Sequence, residues 1–206
     1  MEENMIAIID YDAGNLKSVE KALHFLGEKA IVTRNPEQIL SADHVILPGV
    51  GAFGDAMQKL NYYGLSDIIR QVAQRKKPFL GICLGLQLLF SESEESPGVE
   101  GLGILDGKIA AIPPADGFKI PHMGWNSIQV NPQSKLFQGI PQDSYVYFVH
   151  SFYLQAAHIE QVSATTEYTT TIHAAIEKDY VYATQFHPEK SGELGLQILK
   201  NFCQLS

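Results

Sequence analysis

The stretch that decides the fold is Lys77-Pro78-Phe79-Leu80-Gly81-Ile82-Cys83-Leu84-Gly85-Leu86-Gln87-Leu88-Leu89-Phe90. It predicts a short buried strand, a sharp turn at Cys83 and a helix that begins at once. Glycines lie two residues either side of the cysteine, in the pattern of a nucleophile elbow that carries a thiol. Small neighbours let strand and helix approach closely, and the start of a helix favours a thiolate. The pattern therefore favours a reactive Cys83 over a cysteine packed as a small hydrophobic side chain.

The segments before the elbow alternate between apolar runs and helical patterns. Continuous apolar runs of this kind are typical of strands buried on both faces of a parallel sheet. The predicted strands cover 5–9, 29–33, 44–47 and the elbow strand, and the predicted helices cover 16–26, a short segment from 36, 55–63 and 65–75. This order predicts an α/β fold with a doubly wound, mostly parallel central sheet and helices on both faces. Sites in such sheets lie beyond the carboxyl ends of the strands, where Cys83 and the glycine loop 49–54 both fall.

The C-terminal half predicts a smaller antiparallel strand section. It comprises, in order, a solvated acidic loop over 91–100, short strands that include a turn over 121–126, a strand over 145–151, a hairpin over 171–186 and a closing helix over 194–205. The sequence shows no linker, internal repeat or low-complexity tract. We therefore predict a single domain over residues 1–206, a length that can bury a full core.

Composition and charge argue against several classes of protein. The chain has 206 residues and a formal net charge of −8, which is unfavourable for binding a nucleic-acid backbone. The acidic start Met1-Glu2-Glu3-Asn4 does not resemble a signal peptide, and the longest uncharged apolar run, 78–90, is too short to span a bilayer. The two cysteines, Cys83 and Cys203, provide neither a disulfide framework nor a metal cluster. We expect a cytoplasmic protein with no metal, no cofactor and no membrane partner.

A cysteine nucleophile needs a base and a third group that orients the base. The best candidates are His187 and Glu189, in Phe186-His187-Pro188-Glu189 at the end of the predicted strand 180–186. The proline keeps His187 extended, and Glu189 can turn back to accept a hydrogen bond from the imidazole. Cys83 and His187 are 104 residues apart (187 − 83), a separation compatible with one shared sheet edge. The alternative, a surface histidine at a strand end, is less favoured beside the elbow.

Other residues near these motifs have less specific signals. His150 ends the predicted strand 145–151 and is an alternative base, but no carboxylate lies near it in sequence, so we expect it to line the site. His187-x-Glu189 resembles half of a zinc-deaminase signature, whose Cys-x-x-Cys is absent. Gln87 lies one turn into the elbow helix, where it either faces the site, which we favour, or is solvated.

The glycine loop contains Gly49-x-Gly51-x-x-Gly54, the spacing of a dinucleotide-binding fingerprint. It follows the third strand rather than the first, and Asp55 lies where a pyrophosphate would bind the helix start. The loop shares the edge that carries Cys83, where its N–H groups can stabilise a developing oxyanion. In the geometry of an elbow, the N–H of Leu84 is the second donor. We therefore interpret the loop as half of an oxyanion hole.

These residues make the chain resemble the class I glutamine amidotransferases over nearly its whole length. Gly81-Ile-Cys83-Leu-Gly85-Leu-Gln87 and Phe186-His187-Pro188-Glu189 match the nucleophile and His/Glu motifs of that family. Within the family, the chain is most similar to the glutaminases of histidine biosynthesis, on the further stretches 10–19, 48–54, 121–126 and 148–152. The departures are conservative, such as Leu86 where methionine is common.

The resemblance implies glutamine as the substrate and a Cys-His-Glu triad as the catalyst. Cys83 would attack the side-chain amide while His187, oriented by Glu189, transfers the protons. Ammonia leaves, and water then hydrolyses the glutamyl thioester. The other residues that the resemblance implies are the oxyanion donors Val50 or Gly51 and Leu84, and the glutamine-pocket residues Gln87, His150, Ser151 and Phe152.

The resemblance also implies a partner, a (β/α)8-barrel cyclase that receives the ammonia within a heterodimer. The cyclase forms imidazole glycerol phosphate and the aminoimidazole carboxamide ribonucleotide AICAR from the phosphoribulosyl precursor PRFAR. Trp125, Tyr147 and Lys190 would face this partner. The residues alone leave three alternatives open: an amidotransferase subunit of another pathway, a stand-alone cysteine hydrolase or peptidase of the same fold, and a catalytically silent subunit. Loss of a triad residue would mark the silent subunit, and all three are present.

Overall fold

The computed structural model describes residues 4–12 and 15–206 of the chain. Its helices are α1 Leu16–Phe25, α2 Pro36–Ser41, α3 Phe53–Tyr62, α4 Leu65–Gln74, α5 Leu84–Leu88 and α6 Gly192–Cys203. Its strands are β1 Met5–Ile9, β2 Lys29–Thr33, β3 His44–Gly49, β4 Phe79–Cys83, β5 Gly107–Ala111, β6 His122–Val130, β7 Ser144–His150, β8 Phe152–Ala156, β9 Val162–Glu167, β10 Thr171–Lys178 and β11 Val181–Thr184. Short 3-10 turns cover Ile159–Gln161 and Pro188–Lys190.

Among the described residues, five strands form a parallel half-sheet in the order β2-β1-β3-β4-β11. Helices pack on both faces, with α2, α3 and α4 on one side and α1 and α6 on the other. Successive residues of β1 alternate between the two cores, since Ile6 and Ile8 belong to one and Ala7 and Ile9 to the other. The predicted doubly wound α/β sheet is confirmed.

In the N-terminal half, the end of α1 and the start of α2 lie where the sequence predicts them, whereas the start of α3 does not. α1 ends before Gly27, which has a φ of 82°. The side-chain oxygen of Asn35 accepts hydrogen bonds from the first free N–H groups of α2. α3 begins at Phe53, two residues earlier than predicted, because Glu95 Oε2 accepts a hydrogen bond from the Phe53 N–H at 2.7 Å. The start of α3 is therefore capped by the carboxylate of Glu95, from a distant loop, rather than by the side chain of the residue before the helix.

The C-terminal half continues the sheet with antiparallel strands. β11 pairs with β10, the order continues through β9, β6 and β7, and β8 pairs with both β10 and β5. The hairpin predicted across residues 178–179 forms, with Asp179 at a φ of 54° in its turn. The sequence patterns do not predict β8 and β9, which gain their pairing partners only in the folded sheet.

One expectation for this half is wrong, and a second needs a refinement. Residues 121–126 do not form a turn, because β6 starts at His122 and pairs with β7 residue for residue. The proline and glycine of this stretch suggest a turn locally, but cross-strand pairing overrides that preference. The loop 91–100 is largely exposed, as expected, but its Ser93 is buried and bridges to Ile109 in β5.

The strand register places the candidate chemistry on one edge of the sheet. Gly49 lies opposite Cys83 across β3 and β4, and Ile82 lies opposite Thr184 across β4 and β11. The elbow, the glycine loop and the segment 185–189 follow these strands. They therefore meet beyond the carboxyl ends of the parallel strands, as expected for a doubly wound sheet.

Candidate active site

Cys83 is the last residue of β4 and has a strained backbone, with φ 56° and ψ −109°. A conformation of this kind costs of order 1–3 kcal/mol and is concentrated at functional sites. Close packing requires both flanking glycines. A Cβ on Gly81 would lie 2.8 Å from the carbonyl oxygen of Gly85, and a Cβ on Gly85 would lie 1.8 Å from that of Leu47. The strand and the helix therefore meet in the geometry of a nucleophile elbow.

His187 and Glu189 form a buried pair beyond the end of β11. The imidazole Nδ1 lies 2.8 Å from Glu189 Oε1, and both side chains are 1% exposed. Asn15 Nδ2 donates to the same carboxylate oxygen at 3.4 Å. The His187 N–H donates to the Tyr147 carbonyl at 3.0 Å, and Ser191 Oγ donates to the His187 carbonyl at 2.6 Å. Because a carboxylate only accepts, Nδ1 carries the proton of the neutral ring, which fixes its tautomer.

The pKa of His187 is raised to about 9. Burial alone lowers this pKa, but the attraction of Cys83 and the hydrogen bond and charge of Glu189 outweigh burial. Among the described residues, His187 Nε2 has no partner with full hydrogen-bond geometry. We therefore attribute the influence of Cys83 to charge attraction rather than to a well-formed hydrogen bond. The ring is protonated at neutral pH.

Cys83 and His187 line one cavity of about 390 Å³, a volume suited to a small-molecule ligand. All the oxyanion and glutamine-pocket residues of the sequence analysis line the same cavity. The lining residues are Val50, Gly51, Cys83, Leu84, Gln87, Glu95, Pro121, Val149, His150, Ser151, Phe152 and His187. Glu189 contacts His187 without lining the cavity. The structure thus brings together candidates from four separate parts of the chain.

The oxyanion candidates border the nucleophile. Val50 and Gly51 follow β3 directly, next to the elbow, and Leu84 is the residue after Cys83. The helix α5 that begins at Leu84 has five residues, so its dipole is weaker than that of a full-length helix. Stabilisation of negative charge at this edge therefore depends mainly on individual hydrogen-bond donors.

His150 lines the cavity, but its two ring nitrogens are both occupied. Nδ1 donates to the carbonyl of Phe152 at 2.9 Å, which makes Nε2 the acceptor of the neutral ring. Nε2 accepts from His122 Nδ1 at 2.9 Å, and His122 Nε2 in turn accepts from Asn126 Nδ2 at 3.3 Å. Burial lowers the pKa of His150 to about 3 and that of His122 to about 4. His150 is therefore a neutral, fixed part of the cavity wall.

Two residues near Cys83 have no clear signal in the sequence. Glu95 lines the cavity from the loop 91–100, and the same side chain accepts from Phe53 at the start of α3. Gln185 is fully buried, and its Nε2 lies 3.8 Å from Cys83 Sγ. One signal points to Gln185: it precedes His187 by two residues, and alternate residues of an extended segment share a face.

The three residues expected at a partner surface form a cluster beside the triad, in which Tyr147 is half-buried and Trp125 and Lys190 are exposed. Trp125 on β6 is 55% exposed and lies opposite Tyr147 on β7, with the ring centroids 6.2 Å apart. Lys190 Nζ lies 6.0 Å from the centre of the Tyr147 ring. The backbone carbonyl of Tyr147 accepts a hydrogen bond from the backbone N–H of His187, so the cluster is bonded directly to the candidate base.

The described residues show neither a metal-binding cluster nor a membrane-spanning helix. Within 4–12 and 15–206, no group of three or more histidine, cysteine, aspartate or glutamate side chains is arranged to hold a metal ion. No helix in this part of the chain combines the length and apolar character needed to cross a bilayer.

Cys203 is a free, buried cysteine, and burial raises the pKa of its thiol to about 12. Cys203 is therefore a neutral thiol at neutral pH.

Comparison with known proteins identifies a family and a group of close relatives. The sequence model of the glutamine amidotransferase class-I family matches residues 7–205. Imidazole glycerol phosphate synthase subunit HisH of Methanothermobacter thermautotrophicus is 51% identical over 201 residues, which cover 98% of this chain and 98% of the relative. The proteins of the same name from Moorella thermoacetica and Listeria innocua are 52% and 45% identical, and cover 97% and 98% of this chain and 94% and 96% of their own lengths.

Solved structures share the fold at low sequence identity. PurLQS from Thermotoga maritima matches with a TM-score of 0.74 at 19% identity, over 97% of both chains. The crystal structure of another glutamine amidotransferase matches with a TM-score of 0.73 at 21% identity, over 95% of this chain and 98% of its own. At this identity the likeness shows the fold alone.

Proposed function

Because this chain belongs to the class-I glutamine amidotransferase family, we propose that it is the glutamine-hydrolysing subunit of an imidazole glycerol phosphate synthase in histidine biosynthesis. The observation that carries the proposal is the buried His187–Glu189 pair beside Cys83, at a cavity that fits a small molecule. Relatives of that name are about half identical to this chain over nearly their full lengths. The subunit converts glutamine and water to glutamate and ammonia.

In the proposed mechanism, the Cys83 sulfur attacks the side-chain amide carbon of glutamine. The thiol proton resides on His187, because the raised pKa keeps this ring protonated, and His187 gives the proton to the departing nitrogen. Ammonia leaves as the C–N bond breaks, and a glutamyl thioester remains on Cys83. Water then attacks the thioester carbon and its proton passes to His187; the C–S bond breaks, glutamate leaves and the Cys83 sulfur is released as a thiolate. Glu189 holds the imidazole in the tautomer that directs Nε2 towards the reaction.

The oxyanion of each tetrahedral intermediate is stabilised by backbone N–H groups. We assign this role to Val50 or Gly51 from the glycine loop and to Leu84 from the elbow, all of which border the cavity next to Cys83. In other enzymes, one such donor contributes about 10²–10³ in rate. The short helix α5 makes these individual donors more important here.

The glutamine pocket is formed by Gln87 together with His150, Ser151 and Phe152. Both amide hydrogens of Gln87 are committed, one to the Phe152 carbonyl and one to Gln185 Oε1, each at 3.0 Å. Its Oε1 is therefore the atom available to substrate, and it accepts a hydrogen bond from an amino or amide group. His150 contributes a neutral wall, since its ring nitrogens are occupied within the protein.

The partner that consumes the ammonia is a (β/α)8-barrel cyclase, bound as a heterodimer. It converts PRFAR to imidazole glycerol phosphate and AICAR. We propose that the cyclase covers the cluster of Trp125, Tyr147 and Lys190, since aromatic residues are enriched at interfaces and the large Trp125 side chain is exposed. The chain acts as a single amidotransferase domain over residues 1–206, and its two free cysteines suit the reduced cytoplasm.

The test of this function is the Cys83→Ala variant in complex with the cyclase. Glutamine-dependent synthesis should fall at least about 10³-fold, since the variant lacks the nucleophile, whereas synthesis from added ammonia should stay near the parental rate. The matched control is Cys203→Ala, which removes a thiol that lies outside the cavity and should retain glutamine-dependent synthesis. Substantial glutamine hydrolysis by Cys83→Ala would show that another group is the nucleophile.

A stand-alone cysteine hydrolase of the same fold predicts a different dependence on the partner. We expect slow glutamine hydrolysis by the isolated chain and strong stimulation by the cyclase with its nucleotide bound. Measurement of turnover with and without the cyclase separates the two functions. Full turnover by the isolated chain would favour the stand-alone hydrolase.

A further inference from the structure

Gln185 is a buried polar residue beside the nucleophile, outside both the triad and the glutamine pocket. It follows β11, lies two residues before His187 and is 0% exposed. Its Nε2 lies 3.8 Å from Cys83 Sγ, and its Oε1 accepts a hydrogen bond from Gln87 Nε2 at 3.0 Å. Its backbone N–H donates to the Ala174 carbonyl on β10 at 2.8 Å. The side chain thus bridges the nucleophile and the elbow helix.

A backbone carbonyl decides which end of the Gln185 amide faces the sulfur. The Phe152 carbonyl can only accept, and it lies 3.0 Å from Gln87 Nε2, so the amide nitrogen of Gln87 must point towards it. Gln185 Oε1 accepts the second hydrogen of that nitrogen. A reversed Gln185 amide would place two NH₂ groups against each other, with no acceptor between them. The nitrogen of Gln185 therefore points to Cys83.

The Phe152 carbonyl that sets this direction is itself fixed. It also accepts from His150 Nδ1 at 2.9 Å, so both of its lone pairs are used. His150 Nε2 in turn accepts from His122 Nδ1, and His122 Nε2 accepts from Asn126 Nδ2. The orientation of the Gln185 amide is thus imposed by a chain of hydrogen bonds whose directions are all determined.

We propose that Gln185 is a positioning residue, which presents an amide hydrogen to the Cys83 thiolate and stabilises it before the attack on substrate. A thiolate accepts such a hydrogen bond strongly, whereas a thiol accepts it weakly. A competing group, the Val149 carbonyl, lies 3.9 Å from the same sulfur and favours the thiol, which can donate to it. Loss of the Gln185 amide therefore moves the sulfur towards the protonated form. The proposal rests on the proposed function only through Cys83 as the nucleophile.

Other ionisable groups near Cys83 stay in place when Gln185 is changed. They are the protonated His187 after β11, the buried Tyr11 hydroxyl after β1 and the Glu95 carboxylate from the loop 91–100. His187 continues to favour the thiolate through its positive charge. The expected effect of one lost amide donor is therefore partial rather than complete.

The test is alkylation of Cys83 by iodoacetamide in the variant Gln185→Met, which keeps the length of the side chain and removes the donor. The sulfur bonds to the methylene carbon as iodide leaves, so the rate depends on the thiolate fraction. We expect the rate at about pH 7 to fall about tenfold, the contribution of one hydrogen bond to a charged group. At about pH 10.5, where thiols are ionised, the variant should react within about threefold of the parental rate. Peptide mapping separates Cys83 from Cys203.

The matched control is Gln155→Met. Gln155 is a half-buried glutamine whose amide donates to the Tyr153 hydroxyl and which does not line the cavity, so its variant should react at the parental rate at both pH values. An unchanged rate at about pH 7 in folded Gln185→Met overturns the proposal, and so does equal slowing at both pH values. Neither result affects the proposed function, because the Cys83→Ala comparison tests that function with glutamine.

A second measurement uses the unchanged chain, since Gln185→Met leaves one hydrogen of Gln87 without an acceptor and lowers stability. Carbamoylmethylation of Cys83 converts the thiolate to a neutral thioether. We expect the side-chain amide signal of Gln185 to shift further on this modification than the amide signals of Gln155 and Asn201, as measured by ¹⁵N NMR. Equal shifts for the three amides would overturn the proposal.

Discussion

His187 and His150 are buried histidines on the same cavity, yet they rest in opposite protonation states. The pKa of His187 is raised to about 9, whereas that of His150 is lowered to about 3. Burial lowers both values, so burial does not explain the difference. The difference comes from the groups that each ring contacts. His187 lies beside the Glu189 carboxylate and the Cys83 sulfur, whereas His150 bonds to the Phe152 carbonyl and to the neutral ring of His122.

The two histidines also differ in the nitrogen that remains available. Both donate through Nδ1, one to the carboxylate of Glu189 and the other to the carbonyl of Phe152. His187 Nε2 has no hydrogen-bond partner among the described residues, whereas His150 Nε2 accepts from His122. The anionic partner of His187 thus favours a charged ring whose Nε2 is available for proton transfer. The neutral partners on both nitrogens of His150 favour a neutral ring that only forms part of the cavity wall.

The largest expected effect separates these histidines directly. His187→Gln should lower kcat for glutamine hydrolysis by about 10³-fold or more, because it removes the proposed proton-transfer group. His150→Gln should raise KM about tenfold and change kcat less than about fivefold, because it alters the wall of the pocket. Steady-state kinetics in the presence of the cyclase measure both. A loss of kcat in His150→Gln comparable to that in His187→Gln would contradict the distinction.

A second prediction concerns the anionic partner. Glu189→Gln should lower the pKa of His187 towards its ordinary value near 6.5 and reduce kcat about 10²-fold, because the variant loses the charge and the acceptor that fix the ring. In the parental protein, the raised pKa contributes stability below about pH 6.5, and this contribution is lost as pH rises through about 9. The variant should therefore lose more stability at about pH 6 than at about pH 10, as measured by urea unfolding.

The control for this charge change is Glu193→Gln, in the exposed first turn of α6. It removes one negative charge from the surface and should leave the titration of the His187 ring, followed by NMR, unchanged. If Glu189→Gln also left that titration unchanged, the carboxylate would not be the cause of the raised pKa.

The smallest expected effect concerns the acid limb of stability. His150 has a folded pKa of about 3, so between that value and about pH 6.5 the unfolded chain binds a proton that the native chain does not. The free energy of unfolding should therefore fall as pH drops below about 6.5, by up to about 1.4 kcal/mol per pH unit for each such histidine. His150→Gln should make this slope shallower than it is in the parental protein. Equal slopes in the variant and the parental protein would contradict the prediction.

The sequence predicts most of the parallel half-sheet and the members of the candidate triad, because both depend on local pattern. Gly81 and Gly85 indicate an elbow, since only glycine fits where strand and helix meet this closely. Glu189 is two residues from His187, and that separation is sufficient for a carboxylate to reach the imidazole. These signals need no knowledge of the rest of the fold.

The antiparallel half is predicted less well, because its structure depends on partners that are distant in sequence. His122 lies in a stretch that suggests a turn, yet pairing with β7 makes it the first residue of a strand. Glu95 lies in an acidic stretch that suggests solvent, yet its carboxylate accepts from Phe53 and lines the cavity. In both cases a long-range contact outweighs the local preference.

Local sequence patterns are sufficient to predict the elbow at Cys83, the alternation of strands and helices in the N-terminal half and the pairing of a histidine with a carboxylate. Periodicity and short spacings encode these features. Contacts in the folded chain, by contrast, establish that Nε2 of His187 has no hydrogen-bond partner among the described residues and that the amide nitrogen of Gln185 points to Cys83. Those outcomes depend on contacts between residues as far as 102 positions apart and on which atom donates in each hydrogen bond. Periodicity predicts the face of an element on which a residue lies, but not which hydrogen-bond acceptor its side chain contacts there.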